Sequence, residues 1–133
     1  MPIKCSAVAA RPDRKTSEAQ EMILNHGTLQ GKRYLKPESV ALMTSAQTGD
    51  LVTGFTPGNG WGLGWGVVCK PQGMTEALSA GTFGHGGMFG TQAWIDPKKK
   101  RIYILMVQRT NFVNADATEV RQAFQKAAAT KWL

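Results

Sequence analysis

The feature that most restricts how this chain can fold is the stretch 81–96, GTFGHGGMFGTQAWID, in which five glycines surround His85 and lead into an apolar run. Glycine lacks Cβ, so it tolerates positive φ and lets another backbone or a ligand approach closely. Phe83, Phe89, Trp94 and Ile95 suit a pleated, half-buried surface. The pattern predicts one strand ending near His85 and a second beginning near Phe89. A histidine so placed is a candidate site residue, although glycines also mark sheet bends that hold no ligand.

The segments beside it extend the sheet. RIYILMVQ, 101–108, is apolar nearly throughout, as a central strand covered on both faces must be. DPKKK joins it to 92–96 through a tight turn begun by Asp96 and Pro97, which predicts an antiparallel hairpin. Upstream, WGLGWGVV alternates, placing Trp61, Leu63, Trp65 and Val67 on one face and Gly62, Gly64 and Gly66 on the other. The bulky face should be buried. The segments 49–60 and 71–80 read as loops.

Helices flank these strands. Ser17 with Gln20 reads as a capping box for a helix over 17–25, with Ala19, Met22 and Ile23 on its inner face and Gly27 as its stop. Pro37 opens a second helix in which Val40 and Met43 face inward and which runs until Gly49. Asn114 or Asp116 can cap a final helix, Asp116 forming a capping box with Glu119. Val120, Ala123, Phe124 and Ala127 form its apolar stripe, with Arg121 turned to water. The fold class is therefore α+β: an antiparallel sheet of about three to four strands, covered by a C-terminal helix and N-terminal helices. Residues 1–15 read as an irregular N-terminal arm, and 16–133 as a single domain.

At 133 residues and 42% hydrophobic content the chain suits one packed core. Its formal charge of +7 permits an anionic partner, yet only KKKR is a dense basic run and it falls in the hairpin turn. That argues against a nucleic-acid interface. Cys5 and Cys69 do not have the spacing of a zinc site or redox pair, so no metal is expected and no cofactor is implied. They read as free thiols, with a disulfide left open. The sequence shows no signal peptide and no run long enough to cross a membrane, so localisation is left open, cytoplasmic for the chain as given.

The order LNHGTLQGKRYLKPESVALM, GWGLGWGV, FGHGGMFGTQAWIDPKKKRIYILMVQRTNF, then an amphipathic helix, resembles the C-terminal part of the serine β-lactamase and penicillin-binding-protein superfamily, especially the class C-like β-lactamases and related esterases. The resemblance runs from about Gln20 to the C-terminus and implies a partial β-lactamase-like domain. Members carry Ser-x-x-Lys, Tyr-x-Asn or Tyr-x-Ser, and a third motif, Lys-Thr-Gly or His-x-Gly, around one cleft. His85-Gly86-Gly87 matches the third motif. The resemblance implies that His85 is a catalytic, substrate-holding residue, that Gly86 and Gly87 bind substrate, and that the Met88 N–H is an oxyanion donor.

The other two motifs do not occur. No serine is followed three residues later by lysine, and neither Tyr34 nor Tyr103 begins Tyr-x-Asn or Tyr-x-Ser. Lys36 stands where a capping serine is common. Acyl transfer needs a nucleophile within reach of a base, so the expectation is a hydrolase fragment, inactive alone or active with a complementing N-terminal polypeptide. A non-catalytic module that self-associates or binds a small ligand is the alternative, and an anion or nucleic-acid binder a weaker one. Lacking the family's N-terminal strand, the strand from Arg101 to Gln108 would present an open edge. That predicts a homo-oligomer through this edge, unless residues 1–15 fold back to occupy it.

Overall fold

The computed structural model describes residues 5–7, 14–54, 56–109, 111 and 118–130. Eight strands and three helices follow in the order β1 Cys5–Ala7, α1 Arg14–Leu24, β2 Thr28–Leu29, β3 Lys32–Arg33, α2 Pro37–Thr44, β4 Asn59–Trp61, β5 Gly66–Val68, β6 Phe83–Gly86, β7 Gln92–Asp96, β8 Arg101–Leu105 and α3 Glu119–Thr130, with a short 3-10 turn at Gly73–Thr75. Six strands form one sheet in the order β1-β8-β7-β6-β5-β4, larger than the three to four expected; β2 and β3 make a separate hairpin.

The β6-β7-β8 meander is antiparallel, with Gly84 opposite Trp94 and Trp94 opposite Tyr103. Its second turn follows the sequence reading: the Asp96 carboxylate accepts the Lys99 N–H at 2.9 Å, and Lys100 takes a positive φ. Side chains alternate across the sheet, so each face has its own core. Ile95, Ile102, Ile104, Val67 and Phe83 meet Ile23 of α1 and Val40 of α2. Trp94, Tyr103, Leu105 and Val68 meet Phe124 and Ala128 of α3. Burying an aliphatic side chain such as Ile95 fully contributes about 1.5–3 kcal/mol. The run 102–105 is covered on both faces, as its unbroken apolarity requires.

Several expectations are corrected. WGLGWGVV is a hairpin rather than one extended face: β4 pairs with β5, the Gly62 N–H donates to the Trp65 carbonyl at 2.8 Å, and Gly64 has φ +88. A Cβ on Gly62 would overlap the Met43 carbonyl, so this glycine admits the end of α2. Leu63, at the tip, is exposed. The preceding loop yields to β4 at Asn59, and helix α2 stops at Thr44. Lys36 stands at its N-cap and makes no side-chain capping bond there. Helix α1 starts at Arg14, which puts Ser17 inside it; Gln20 and Ile23 are buried while Ala19 is exposed. Gly27 does end it, at φ +89 with its N–H on the Met22 carbonyl.

Helix α3 is rotated from its expected face. Arg121, Phe124, Gln125 and Ala128 are buried, whereas Val120 is 38% exposed. The Arg121 guanidinium stacks 4.4 Å from the Trp94 ring centroid and donates to Thr56 Oγ1 at 3.2 Å. The Gln125 amide accepts from Arg121 Nε at 3.0 Å and donates to the Met74 carbonyl at 2.7 Å. A ring face and hydrogen bonds to Thr56 and Gln125 make this cation's burial tolerable, and the apolar stripe could not reveal them. The capping roles of Asn114 and Asp116 lie outside the described residues.

Within the arm read as irregular, Cys5–Ala7 form β1 and pair in parallel with β8, Ser6 opposite Tyr103. This is the fold-back named as the exception to the open β8 edge, and it occupies that edge along Ile102, Tyr103 and Ile104.

Candidate functional site

Residue parity along β6 decides what its edge offers. The Gly87 N–H donates to the Thr91 carbonyl at 2.7 Å, so odd-numbered residues here direct their backbone groups toward β7. The Val68 N–H donates to the Thr82 carbonyl at 2.8 Å, so even-numbered residues direct theirs toward β5. The ladder to β5 ends at the pair Gly66 and Gly84. Gly86 is the next even residue, and no described strand lies opposite it. Its backbone groups face an open edge. Met88 follows at the second position of a turn closed by the Gly90 N–H on the Gly87 carbonyl at 3.0 Å, and its N–H is outside the ladder.

His85 sits beside this opening. Its ring is exposed, edge-on to Trp61 at 5.2 Å between centroids, and its Nδ1 lies within hydrogen-bond range of the Gly86 carbonyl. A carbonyl only accepts, so Nδ1 is the donor in this contact, which leaves Nε2 as the ring nitrogen for a substrate. Gly84 and Gly87 are required by packing: a Cβ on Gly84 would overlap the Ala93 carbonyl and Trp94, and one on Gly87 would overlap Thr91 Oγ1.

A cleft of about 110 Å³ begins at His85 and Gly86 and runs between Trp61, Trp94, Thr56 and Arg121. A wider hollow of about 410 Å³ under 49–60 shares Thr53, Gly54, Thr56 and Asn59 with it. The structure thus brings His85 and Gly86 to the cleft and leaves Met88 in the adjoining turn, its side chain 88% exposed. Sequence reading missed Trp61, Thr56 and Arg121 as cleft residues. The alternation around Trp61 was the one available signal.

The hydroxyls near the cleft are engaged: Thr53 Oγ1 donates to the Asn59 carbonyl at 3.2 Å, and Thr56 Oγ1 accepts from Arg121. Thr82 is fully buried, and Thr91 fills the space beside Gly87. Ser79 donates to Asp96 Oδ2 at 2.7 Å and Ser45 to the Ala41 carbonyl at 2.7 Å. Among the described residues no three His, Cys, Asp or Glu side chains converge as a metal site, no helix is long and apolar enough to cross a membrane, and Cys69 is a free, exposed thiol. Tyr103, on β8, has its phenol pushed up to about 12 by burial and secondarily by the Asp96 charge, with Arg101 opposing.

Comparison with known proteins gives a consistent result. A family model described as Beta-lactamase matches residues 9–128. Two curated proteins of Mycobacterium tuberculosis, Uncharacterized protein MT1414 of strain CDC 1551 / Oshkosh and Protein Rv1367c of strain ATCC 25618 / H37Rv, are each 33% identical over 106 residues; the alignment covers 72% of this chain and 26% of each relative. The chain thus spans about a quarter of the length of these relatives. Among solved structures, EstCE1, a hydrolase with promiscuous acyltransferase activity, superposes with a TM-score of 0.57 at 27% identity, covering 82% of this chain and 26% of that one.

Proposed function

The chain belongs to the Beta-lactamase family, and from that premise we propose that it supplies the sheet-edge wall of an acyl-transfer site for ester or amide substrates and is inactive without a nucleophile from elsewhere. The observation that carries this reading is the break in the ladder past Gly84, which leaves Gly86 beside His85 in the lining of a cleft, with Met88 in the turn that follows. In a complete site, a hydroxyl adds to the substrate carbonyl, its proton passes to a base, and the negative oxygen takes hydrogen bonds from backbone N–H groups. Met88 would provide one such donor. His85 would hold substrate and conduct the proton through Nε2. The similarity to a hydrolase with promiscuous acyltransferase activity supports acyl transfer as the reaction class.

The rival reading is a non-catalytic ligand-binding module, favoured by the engagement of the Thr53 and Thr56 hydroxyls. The anion-binding reading finds less support, because the run 98–100 lies at the opposite end of the sheet from His85. The predicted inactivity is tested by hydrolysis of p-nitrophenyl acetate by the purified chain beside its His85→Ala variant. Both are expected at the buffer rate, since loss of the nucleophile in a serine hydrolase costs about 10⁶ in kcat. Turnover that tracks the unmodified chain and vanishes in the variant would show that the chain holds a complete site.

A further inference from the structure

The two ends of the sheet differ in charge. His85 pairs with Ala93 near the start of β7, whereas the 97–100 turn follows Asp96 at its other end. That turn carries three consecutive exposed lysines, Lys98, Lys99 and Lys100, and the layers on both sides of the sheet bring further cations to it. On one face, Arg101 Nη1 donates to the Ala129 carbonyl at 3.3 Å, which sets the last turn of α3, with exposed Lys126, beside the lysines. On the other face, His26 and Pro97 line one crevice, and Arg33 Nη1 donates to the His26 carbonyl at 3.2 Å. Lys99 Nζ reaches the Ala77 carbonyl at 3.2 Å. Across the segments so joined, 26–36, 76–79, 96–101 and 126–130, the basic positions are 32, 33, 36, 98–101 and 126, and the acidic ones are Glu76 and Asp96 alone. Asp96 is fully buried, its carboxylate bonded by the Ser79 hydroxyl and the Lys99 N–H, so Glu76 is the one exposed acid among them.

We propose that this basic end is a docking surface for an anionic phospholipid membrane. A broad end built from a turn, a helix terminus and a hairpin can meet a plane of headgroups with cations from all three layers, and near such a surface each Lys or Arg strengthens binding about fivefold. Nucleic acid suits it less. The crevice at this end holds about 90 Å³ and is lined by apolar side chains such as Ile23, Val40 and Phe83, so it takes no base. Tyr34 is the only Phe, Tyr or Trp in these segments, and one face of its ring is taken by Lys32 Nζ at 5.1 Å, which leaves no platform for successive stacked bases. A tyrosine 55% exposed among basic residues suits headgroup depth instead. Docked by this end, the chain holds the His85 cleft away from the membrane. The surface is therefore separate from the acyl-transfer site and does not rest on that reading.

The test is co-sedimentation of the full chain with vesicles of pure phosphatidylglycerol and, separately, of pure phosphatidylcholine at about 0.1 M NaCl, where exposed charges act over about 10 Å. Binding to the anionic vesicles alone is expected, with release at about 0.5 M NaCl as screening shortens that range. The double variant Lys98→Gln/Lys100→Gln should bind about 25-fold more weakly and Lys126→Gln about fivefold, each checked for an unchanged circular dichroism melt. Arg109→Gln removes the same charge at the His85 end, where the Arg109 N–H donates to the Phe89 carbonyl at 3.0 Å, and should change binding by less than about twofold. No pelleting with phosphatidylglycerol, equal pelleting with phosphatidylcholine, or a loss in Arg109→Gln equal to that in Lys126→Gln overturns the proposal. So does retention on double-stranded DNA at a salt concentration that strips the chain from the vesicles, because the preferred partner is then nucleic acid.

Discussion

The two flanks of the β6-β7-β8 meander end differently. On the β8 side, β1 supplies a parallel partner along Ile102, Tyr103 and Ile104. On the β6 side, β5 pairs only as far as Gly84 and then turns away, so the edge opens at Gly86. The outer flank of β4 is closed by other means: the Gln47 N–H donates to the Trp61 carbonyl at 2.7 Å, and Thr48 Oγ1 accepts the Trp61 N–H at 3.1 Å. Unpaired strand edges invite aggregation, and natural sheets cover them. An edge left open beside a histidine, in a sheet where β8 is paired by β1 and Trp61 of β4 is bonded by Gln47 and Thr48, is therefore best understood as a place for a ligand or partner.

Removing a cover should have the largest effect. A chain lacking residues 1–7 would expose the apolar β8 edge, and it should precipitate or sediment as an oligomer where the full chain does not. A monomeric, fully stable truncation would show that β1 is dispensable. The next effect distinguishes the buried and exposed sides of α3. Arg121→Ala removes the stacking on Trp94 and the bonds to Thr56 and Gln125, and should cost about 3 kcal/mol in urea unfolding. Val120→Ala should cost under about 0.5 kcal/mol, as at other surface positions. The reverse order would restore the stripe read from sequence.

That reversal shows what was legible. The meander and its Asp96-Pro97 turn follow from local chemistry: alternation, an apolar central strand, and a carboxylate placed to accept the Lys99 N–H. The cover on β8 was not legible, because three residues in an aperiodic arm reveal their role only through pairing with Tyr103 and its neighbours. Arg121 was hidden for the same reason, since its burial depends on Trp94 and Thr56, both distant in sequence. The site was half readable. The glycines singled out His85, while Trp61, Thr56 and Arg121 reach the cleft only through the fold.

A pH scan tests the closed flank. Folding raises the Tyr103 phenol to about 12, so the folded state favours its neutral form. This contribution is fully present below pH ~10, the unfolded value, and is lost as pH rises toward 12. Tyr103→Phe should flatten that decline in urea midpoints between pH 9 and 12; an equally steep decline in the variant would assign it to other groups. A smaller effect is expected at the other cover, where Thr48→Val removes the acceptor for the Trp61 N–H and should cost about 1 kcal/mol in the same assay.

The most direct test of an open edge beside His85 is native-state hydrogen exchange of three neighbouring amides. The Gly87 N–H, bonded to Thr91, should be protected, while those of Gly86 and Met88 should exchange close to the rate of an unstructured peptide. Protection of Gly86 and Met88 equal to that of Gly87 would mean that the edge is already filled, contradicting its assignment as the wall of a substrate site.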